Sequence, residues 1–236
     1  MRRLLVCEDE DSIREFVVIN LQRVGYEVVD VNCGEDAIRV FEEQGGKFDV
    51  ALLDIMMPGI DGFQVCKKLR EKTQALGIIM LSAKSQEMDK VSSLMMGADD
   101  YITKPFSISE LIARVDAVCR RVDMAQPKHE EEASSITSGP FTINLRSRTV
   151  YKNEKQIDLT QVEYQIMEYF FKNQNTALDR TSILNQIWGD SYFGEDKIVD
   201  VNIRRIRMKI EDEPSNPKYI QTIWGFGYKW VSNNPQ

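Results

Sequence analysis

The strongest constraint on the fold is a rhythm in the first half of the chain. Short apolar runs near residues 3–7, 27–31, 49–53, 78–81 and 100–102 alternate with helical-period segments near 11–24, 34–45, 61–73, 86–97 and 107–121. The runs are apolar at consecutive positions, so both faces of each strand must be buried. Parallel strands covered by helices on either side meet that demand. Glycines at 25, 45, 46, 77 and 97 fall where the helices should stop. The expectation is an α/β fold, a five-stranded parallel doubly wound sheet.

The pattern then breaks. Asp123 to Gly139 reads DMAQPKHEEEASSITSG, polar and poor in apolar residues, and is expected to be a flexible linker. Beyond it come short β-like pieces over 141–158 with turn residues Asn153-Glu154, and helical patterns at 160–173, 180–188 and 196–211. A hairpin over about 219–231 follows, with Gly225 and Gly227 at its tip. Three helices followed by a β-hairpin predict a C-terminal winged helix-turn-helix domain. The expected division is 1–122, linker 123–139 and 140–236, in keeping with 236 residues.

Four of the apolar runs end in residues suited to phosphoryl chemistry. Leu4 to Cys7 leads into Glu8-Asp9-Glu10, Val50 to Leu53 into Asp54, Ile78 to Leu81 into Ser82, and Tyr101 to Thr103 into Lys104-Pro105. Parallel strands bring these ends to one edge, where open α/β sheets place their sites. Clustered carboxylates repel one another, and a divalent cation relieves the conflict. Oxygen ligands from two carboxylates, a backbone carbonyl and waters suit Mg2+. With its charge screened, Asp54 can act as a nucleophile toward phosphate. Lys104 offers a point charge to a phosphoryl oxygen and Ser82 a hydrogen bond. Taken singly, an acid at a strand end is usually a helix cap or a solvated loop residue; four complementary strand ends are harder to dismiss.

These pieces resemble the receiver domain of two-component response regulators. The resemblance rests on Glu8-Asp9-Glu10, Leu53-Asp54-Ile55-Met56-Met57-Pro58-Gly59, Asp61-Gly62, Leu81-Ser82-Ala83, and Gly97-Ala98-Asp99-Asp100-Tyr101-Ile102-Thr103-Lys104-Pro105-Phe106. It implies that Asp54 accepts a phosphoryl group from a sensor histidine kinase. It also implies that Asp9, Asp54 and the Met56 carbonyl bind magnesium with help from Glu8, and that Ser82 and Tyr101 form a switch pair. Haloacid dehalogenase-type phosphatases also use a strand-end aspartate, but need a second aspartate two residues on. Met56 stands there and cannot transfer a proton, so an enzyme is not expected beyond self-phosphorylation and dephosphorylation of the receiver. No GxGxxG follows the first strand, which leaves a dinucleotide site without support.

Similarity to the OmpR/PhoB subfamily extends through Lys90, Val91, Leu94, Asp99, Asp100, Glu110 and Arg114. It implies a symmetric homodimer face with cross-subunit salt bridges, formed on phosphorylation. The apolar stripe Val91, Leu94 and Met95 would by default be core packing.

In the 196–211 segment, a helical projection sets Val199, Ile203, Ile206 and Ile210 on one stripe and Lys197, Val201, Arg204, Arg205 and Met208 opposite. Arginine can read guanine edges or phosphates, and an apolar side chain can meet a thymine methyl. Residues 140–231 resemble the winged-helix effector domain of the same subfamily through Leu159-Thr160, Glu163-Tyr164, Ile187-Trp188-Gly189, Val199 to Arg207 and Gly225-Phe226-Gly227-Tyr228. The resemblance implies Val201 and Arg205 at bases of double-stranded DNA, with Asp200 beside them. It places Trp188, Lys197, Asn202, Arg204, Arg207, Thr222 and Tyr228 near phosphates. Where many members carry arginine on the wing this chain has Trp224, which is counted among the DNA-binding residues, with packing, the usual lot of an aromatic on a hairpin, as the alternative.

Charge agrees with that division of labour. Residues 1–123 sum to −6 and residues 140–236 to +1, within a total of −7. Local sign matters more, because residues 197–209 hold five cations against Asp200. Four cysteines, none in a CxxC pair, argue against zinc and for reduced thiols. No signal peptide or membrane span fits, so a cytoplasmic protein is expected. The reading that emerges is a phosphorylation-dependent transcription regulator whose partners include RNA polymerase. A constitutive DNA-binding regulator with the receiver as a dimerisation scaffold is the alternative.

Overall fold

Each apolar run of the first half becomes a strand in the computed structural model, which describes residues 1–83, 96–123, 135–189, 192 and 196–232. Strands β1 (Arg3–Cys7), β2 (Glu27–Val31), β3 (Val50–Asp54), β4 (Gly77–Ser82) and β5 (Asp100–Thr103) form one parallel sheet in the order β2-β1-β3-β4-β5. Helices α1 (Asp11–Arg23), α2 (Gly34–Glu43), α3 (Gly62–Lys72) and α4 (Ile108–Asp123) cover it. Alternate residues sort to the two faces. Leu4, Val6, Val50, Leu52, Ile79 and Leu81 share a core with Val17 and Leu21 of α1 and Leu111, Val115 and Val118 of α4. Helices α2 and α3 pack against β1 and β3 from the other side, burying Phe41, Val65, Cys66 and Leu69. Residues 84–95, which hold most of the helical pattern read over 86–97, lie outside the described residues.

The strand order turns at β1, whose neighbours β2 and β3 lie on either side of it. That turning point opens a crevice at the carboxyl ends of β1 and β3, where Glu8 and Asp54 stand. A close approach fixes the loop after β3. A Cβ on Gly62 would fall 2.1 Å from the Asp54 carbonyl oxygen, so α3 can begin beneath that carbonyl only with glycine there. The side chain of Asp61 caps α3 by accepting from Gln64 N at 2.8 Å.

Arg70, on the last turn of α3, points inward. It donates to Gly97 O at 2.8 Å and to Leu76 O at 2.5 Å, and pairs with Asp99 at 2.7 Å. Asp99 also accepts from Ile78 N. This buried cluster ties α3 to the edges of β4 and β5. Asp99, expected on a dimer face, is 2% exposed and pairs with Arg70 within the chain.

Residues 124–236 form a second compact unit, described from Ser135 onward. Strands β6 (Ser135–Ser138), β7 (Phe141–Asn144), β8 (Thr149–Lys152) and β9 (Lys155–Ile157) make an antiparallel sheet. Its first strand falls in the stretch expected to be linker, and that expectation is corrected for 135–138. Ser-Ile-Thr-Ser carries no apolar run, yet Ile136 pairs with Ile143, and Ser138 accepts from the buried Trp230 indole at 2.8 Å. Asn153 and Glu154 turn the β8–β9 hairpin with positive φ.

Three helices follow: α5 (Gln161–Lys172), α6 (Arg180–Trp188) and α7 (Lys197–Ile210). Strand β10 (Ala177–Asp179) pairs with β12 (Gly227–Trp230), which pairs with β11 (Ile220–Ile223). Phe141, Phe171 and Tyr219 ring Trp230 at centroid distances of 4.8–5.9 Å. Gly225 takes positive φ at the hairpin tip, whereas Gly227, expected beside it, is already in β12 against Leu178. The result is a winged helix.

Arg70→Ala strands the Asp99 carboxylate in the interior. The expected cost is about 3–5 kcal/mol, read as a lowered urea midpoint at unchanged slope for the receiver transition.

Candidate functional site

The carboxylates of Glu8, Asp9 and Asp54 each place an oxygen within 4.8 Å of the others. Glu8 follows β1 and is buried, Asp54 ends β3 and is buried, and Asp9 faces solvent. The backbone holds this set in shape: Asp54 Oδ1 accepts from Met56 N at 3.0 Å, and Glu8 N donates to Val31 O at 3.1 Å. Lys104, just beyond β5, reaches across the edge. Its Nζ donates to Asp54 Oδ2 at 2.7 Å and lies 2.6 Å from Glu8 Oε2. The turn carrying it is fixed by Lys104 N donating to Ser82 O at 2.7 Å and by a cis Lys104–Pro105 peptide.

One ammonium between two buried carboxylates leaves the cluster net negative. Burial raises the Glu8 carboxyl to about 7, opposed by the Lys104 hydrogen bond and reinforced by the Asp54 charge. For Lys104, burial favours the neutral amine, but hydrogen bonds to Asp54 and Glu8 more than offset it and the ammonium is held above its ordinary range. Hard oxygen donors, two buried and one open to solvent, fit a hydrated divalent cation. Met56, the residue expected to lend its carbonyl, is exposed beside this opening. Ser82 and Tyr101 are both buried, on adjacent strands β4 and β5.

The residues expected on a dimer face have partners within one chain. Arg114 is buried, pairs with Asp100 at 3.0 Å and meets Glu110 at 2.8 Å; Asp100 also accepts from Tyr101 N. Asp100 and Arg114 thus pair with one another within the chain. Lys90, Val91 and Leu94 lie outside the described residues.

In the winged helix, α7 shows a narrower outer face than its projection predicts. Lys197, Arg204 and Met208 are exposed. Val201 and Arg205, expected to face outward at bases, are 6% and 7% exposed. Arg205 turns toward α5, where its guanidinium pairs with Glu163 at 2.9 Å, and Lys209 pairs with the same carboxylate at 2.7 Å. Glu163 also closes a capping box with Thr160. Burial alone would raise this carboxyl, but the two cations more than reverse the effect and hold it below the usual range. Asn202 is likewise buried, its amide donating to Ile198 O at 2.8 Å, and Trp188 is 1% exposed beside Tyr192. Asn202 and Trp188, expected near phosphates, and Val201 and Arg205, expected at bases, are thus all largely buried.

The remaining expected residues form a bracket behind the helix. Asp200 accepts from Arg180 Nε at 2.8 Å and from the Tyr228 hydroxyl at 2.6 Å. Arg207 donates to Ile220 O and, at 2.9 Å, to Thr222 Oγ1, so the wing is tied to α7. The guanidinium of Arg180 lies 5.2 Å and that of Arg207 5.5 Å from the Tyr228 ring centroid. Burial, with the Asp200 hydrogen bond, pushes the Tyr228 phenol up to about 12, so it stays a donor. Sequence reasoning missed Arg180 and Glu163. Thr160-x-x-Glu163 carried a readable capping-box signal for the second; nothing local pointed to the first.

Comparisons with known proteins agree with this geometry. The response regulator receiver domain family matches residues 4–116, and the family described as transcriptional regulatory protein, C terminal, matches residues 154–230. The chain is 40% identical over 232 residues to the alkaline phosphatase synthesis transcriptional regulatory protein PhoP of Bacillus subtilis (strain 168), covering 97% of this chain and 96% of that one. Among solved structures, a mutant of RitR is similar at a TM-score of 0.77 and 27% identity, over 99% of this chain and 100% of the other. DrrB, a Thermotoga maritima OmpR/PhoB homologue, is similar at 0.51 and 32%, over 98% and 99%. A phosphoryl-type pocket at the edge of a parallel sheet, a winged helix carrying an exposed basic face, and these likenesses lead to one assignment: the chain belongs to the OmpR/PhoB family of response regulators, two-component transcription regulators with a receiver and a DNA-binding domain.

Proposed function

We propose that the chain is switched by phosphorylation of Asp54 and answers by binding DNA as a homodimer. What carries the reading is the set of contacts around Asp54: a buried carboxylate at a sheet edge, one oxygen held by the Met56 amide and the other by the Lys104 ammonium. A carboxylate oxygen of Asp54 attacks phosphorus of a phosphohistidine on the sensor kinase. The new O–P bond replaces the N–P bond, and the departing imidazole takes up a proton. Lys104 is placed to follow the phosphoryl oxygens as charge moves outward from Asp54. Glu8, Asp9, Asp54 and the Met56 carbonyl would hold Mg2+, which would supply charge neutralisation to an anionic donor approaching an anionic pocket.

Lys104 is the element that responds. It bridges Glu8 and Asp54 when Asp54 is a carboxylate, and a phosphoryl group draws it away from Glu8. Its backbone N is bonded to Ser82 O, so β4 and β5 feel that displacement at their ends, where Ser82 and Tyr101 serve as the switch pair. The face beyond them, with Lys90, Val91, Leu94 and Glu110, becomes competent for pairing. Two paired chains set two α7 helices about one turn of DNA apart, roughly 34–36 Å, to act through RNA polymerase. Lys197 and Arg204 supply exposed charge to phosphates or base edges, while Asp200, Arg207, Thr222 and Tyr228 position the helix and wing from behind.

Treatment with a small-molecule phosphodonor and Mg2+ is expected to add one phosphoryl group by mass, and beryllofluoride to raise the dimer fraction in sedimentation. Asp54→Ala abolishes both responses; an equal response in that variant points to the scaffold alternative. On duplex DNA, Arg204→Ala is expected to reduce the slope of log affinity against log salt by about one, measured by fluorescence anisotropy. Arg205→Ala acts differently: it leaves Glu163 with one cation in the interior and costs about 3 kcal/mol, seen in thermal unfolding of the winged helix.

A further inference from the structure

Three segments of the receiver meet at one sulfur. Cys7 ends β1 and is fully buried. Its Sγ lies 3.3 Å from the backbone carbonyl oxygen of Cys33, in the turn between β2 and α2, and 3.3 Å from Sδ of Met57, in the loop after β3. Cys33 immediately precedes α2 and is partly exposed, and its side chain makes no capping hydrogen bond to the helix. The Cys33 thiol is bonded instead to the Asp36 carboxylate. Burial raises the Cys7 thiol, and among the neighbours that add to the effect Cys33 acts most, ahead of Asp54, Glu8 and Asp36. The two thiols are close in space, one enclosed and one within reach of solvent.

The backbone around this pair is fixed. Glu8 N donates to Val31 O at 3.1 Å, two residues before Cys33. A Cβ on Gly34 would stand 2.2 Å from Ile60 O, so the start of α2 touches the loop after β3. Glu35 reinforces that contact by accepting from Ile60 N at 3.2 Å. The same loop supplies the Met56 amide that holds Asp54, and the residue after Cys7 is Glu8, the partner of Lys104. A bond between Cys7 and Cys33 therefore acts on both sides of the phosphoryl pocket. Cys66 and Cys119 stand apart, buried on α3 and α4 against Met96 O and Tyr26.

We propose that Cys7 and Cys33 are an oxidisable pair whose disulfide slows phosphorylation of Asp54, a consequence that rests on the Asp54 reading above. A hydroperoxide is the oxidant. The sulfur of Cys33, the accessible member, attacks a peroxide oxygen: an S–O bond forms, the O–O bond breaks, and water or an alcohol leaves with the thiol proton. The Cys7 sulfur then attacks the sulfenic sulfur. The S–S bond forms, the S–O bond breaks, and the departing hydroxide takes the Cys7 proton and leaves as water. Two thiols have then given two electrons to the peroxide. The product is neutral, which suits burial beside Glu8 and Asp54. A disulfide holds its Cβ atoms about 3.5–4.5 Å apart, so it replaces the contacts of the Cys7 thiol with Cys33 O and Met57 and ties the end of β1 to the turn before α2. Glu8 and the Met56 amide shift with those segments, and a pocket that aligns an attacking oxygen tolerates such movement poorly.

The full-length protein is treated with hydrogen peroxide, and the excess is removed. Intact mass should fall by two hydrogens, and a non-reduced digest should join the Cys7 and Cys33 peptides while Cys66 and Cys119 remain free thiols. Phosphorylation by acetyl phosphate with Mg2+ should then slow by about 10- to 100-fold, the cost of a misplacement of up to about 1 Å. Dithiothreitol should restore the rate. Cys33→Ser is expected to keep the rate of the reduced protein and to lose the response to peroxide, and Cys7→Val to do the same from the buried side. A bridge that leaves the rate unchanged overturns the inference, as does peroxide that oxidises Cys33 without joining it to Cys7. Equal slowing in Cys33→Ser also overturns it, because the damage then lies elsewhere, as at the exposed Met56. A reduced wild-type protein that takes up no phosphoryl group overturns the Asp54 reading and this inference with it.

Discussion

Burial of a parallel sheet on both faces decides most of what the receiver can be. With α1 and α4 on one side and α2 and α3 on the other, polar side chains have no place along the inner strands β1, β3 and β4. They collect where the strands end. Glu8 and Asp54 sit at two such ends, and desolvation there would be prohibitive without Lys104. The pocket is consequently a compromise between charge and burial: two carboxylates, one ammonium, and a third acid open to water. Chemistry at that edge is inexpensive to perturb, because a change in the charge on Asp54 alters the partner of a lysine whose backbone also belongs to the sheet edge.

The same logic runs in the winged helix with opposite sign. Glu163 is the buried anion, and Arg205 and Lys209 are drawn inward to it. A helix bearing five cations over 197–209 therefore spends several on its own scaffold. Arg207 is committed to β11 and Arg205 and Lys209 to Glu163, and the exposed cations are Lys197, Arg204 and the partly engaged Lys209. The domain holds its reading helix by electrostatics and offers DNA a modest number of charges.

Strands, helices and the sheet-edge acids were legible because burial writes a periodic signature and strand ends follow from it. Residues such as Glu8, Asp54 and Lys104 needed only the assumption that parallel strands share an edge. What escaped was long-range pairing. Nothing local tells that Arg70 meets Asp99, that Asp100 is closed on Arg114, or that Arg205 turns under α7 to Glu163. A helical projection places Arg205 outward because it counts angles and knows no buried anion. Strand β6 was missed for a related reason: its anchor, Ser138 to Trp230, is a polar contact across 92 residues. Trp224, weighed between a DNA contact and packing on the hairpin, stands 92% exposed at the turn, so only the packing alternative is excluded.

The shared carboxylate of Glu163 has a consequence for how such a protein can diversify. Arg205 lies on α7, yet its identity is bound to an acid on α5, with Lys209 as a third party. A substitution at 205 is then never a change in recognition alone; it alters the charge balance of the interior and calls for a matching change at 163 or 209. Lys197 and Arg204, by contrast, are exposed. Substitutions on the exposed side of α7 accordingly disturb the interior less than a change at 205, which stays locked by the fold it sustains.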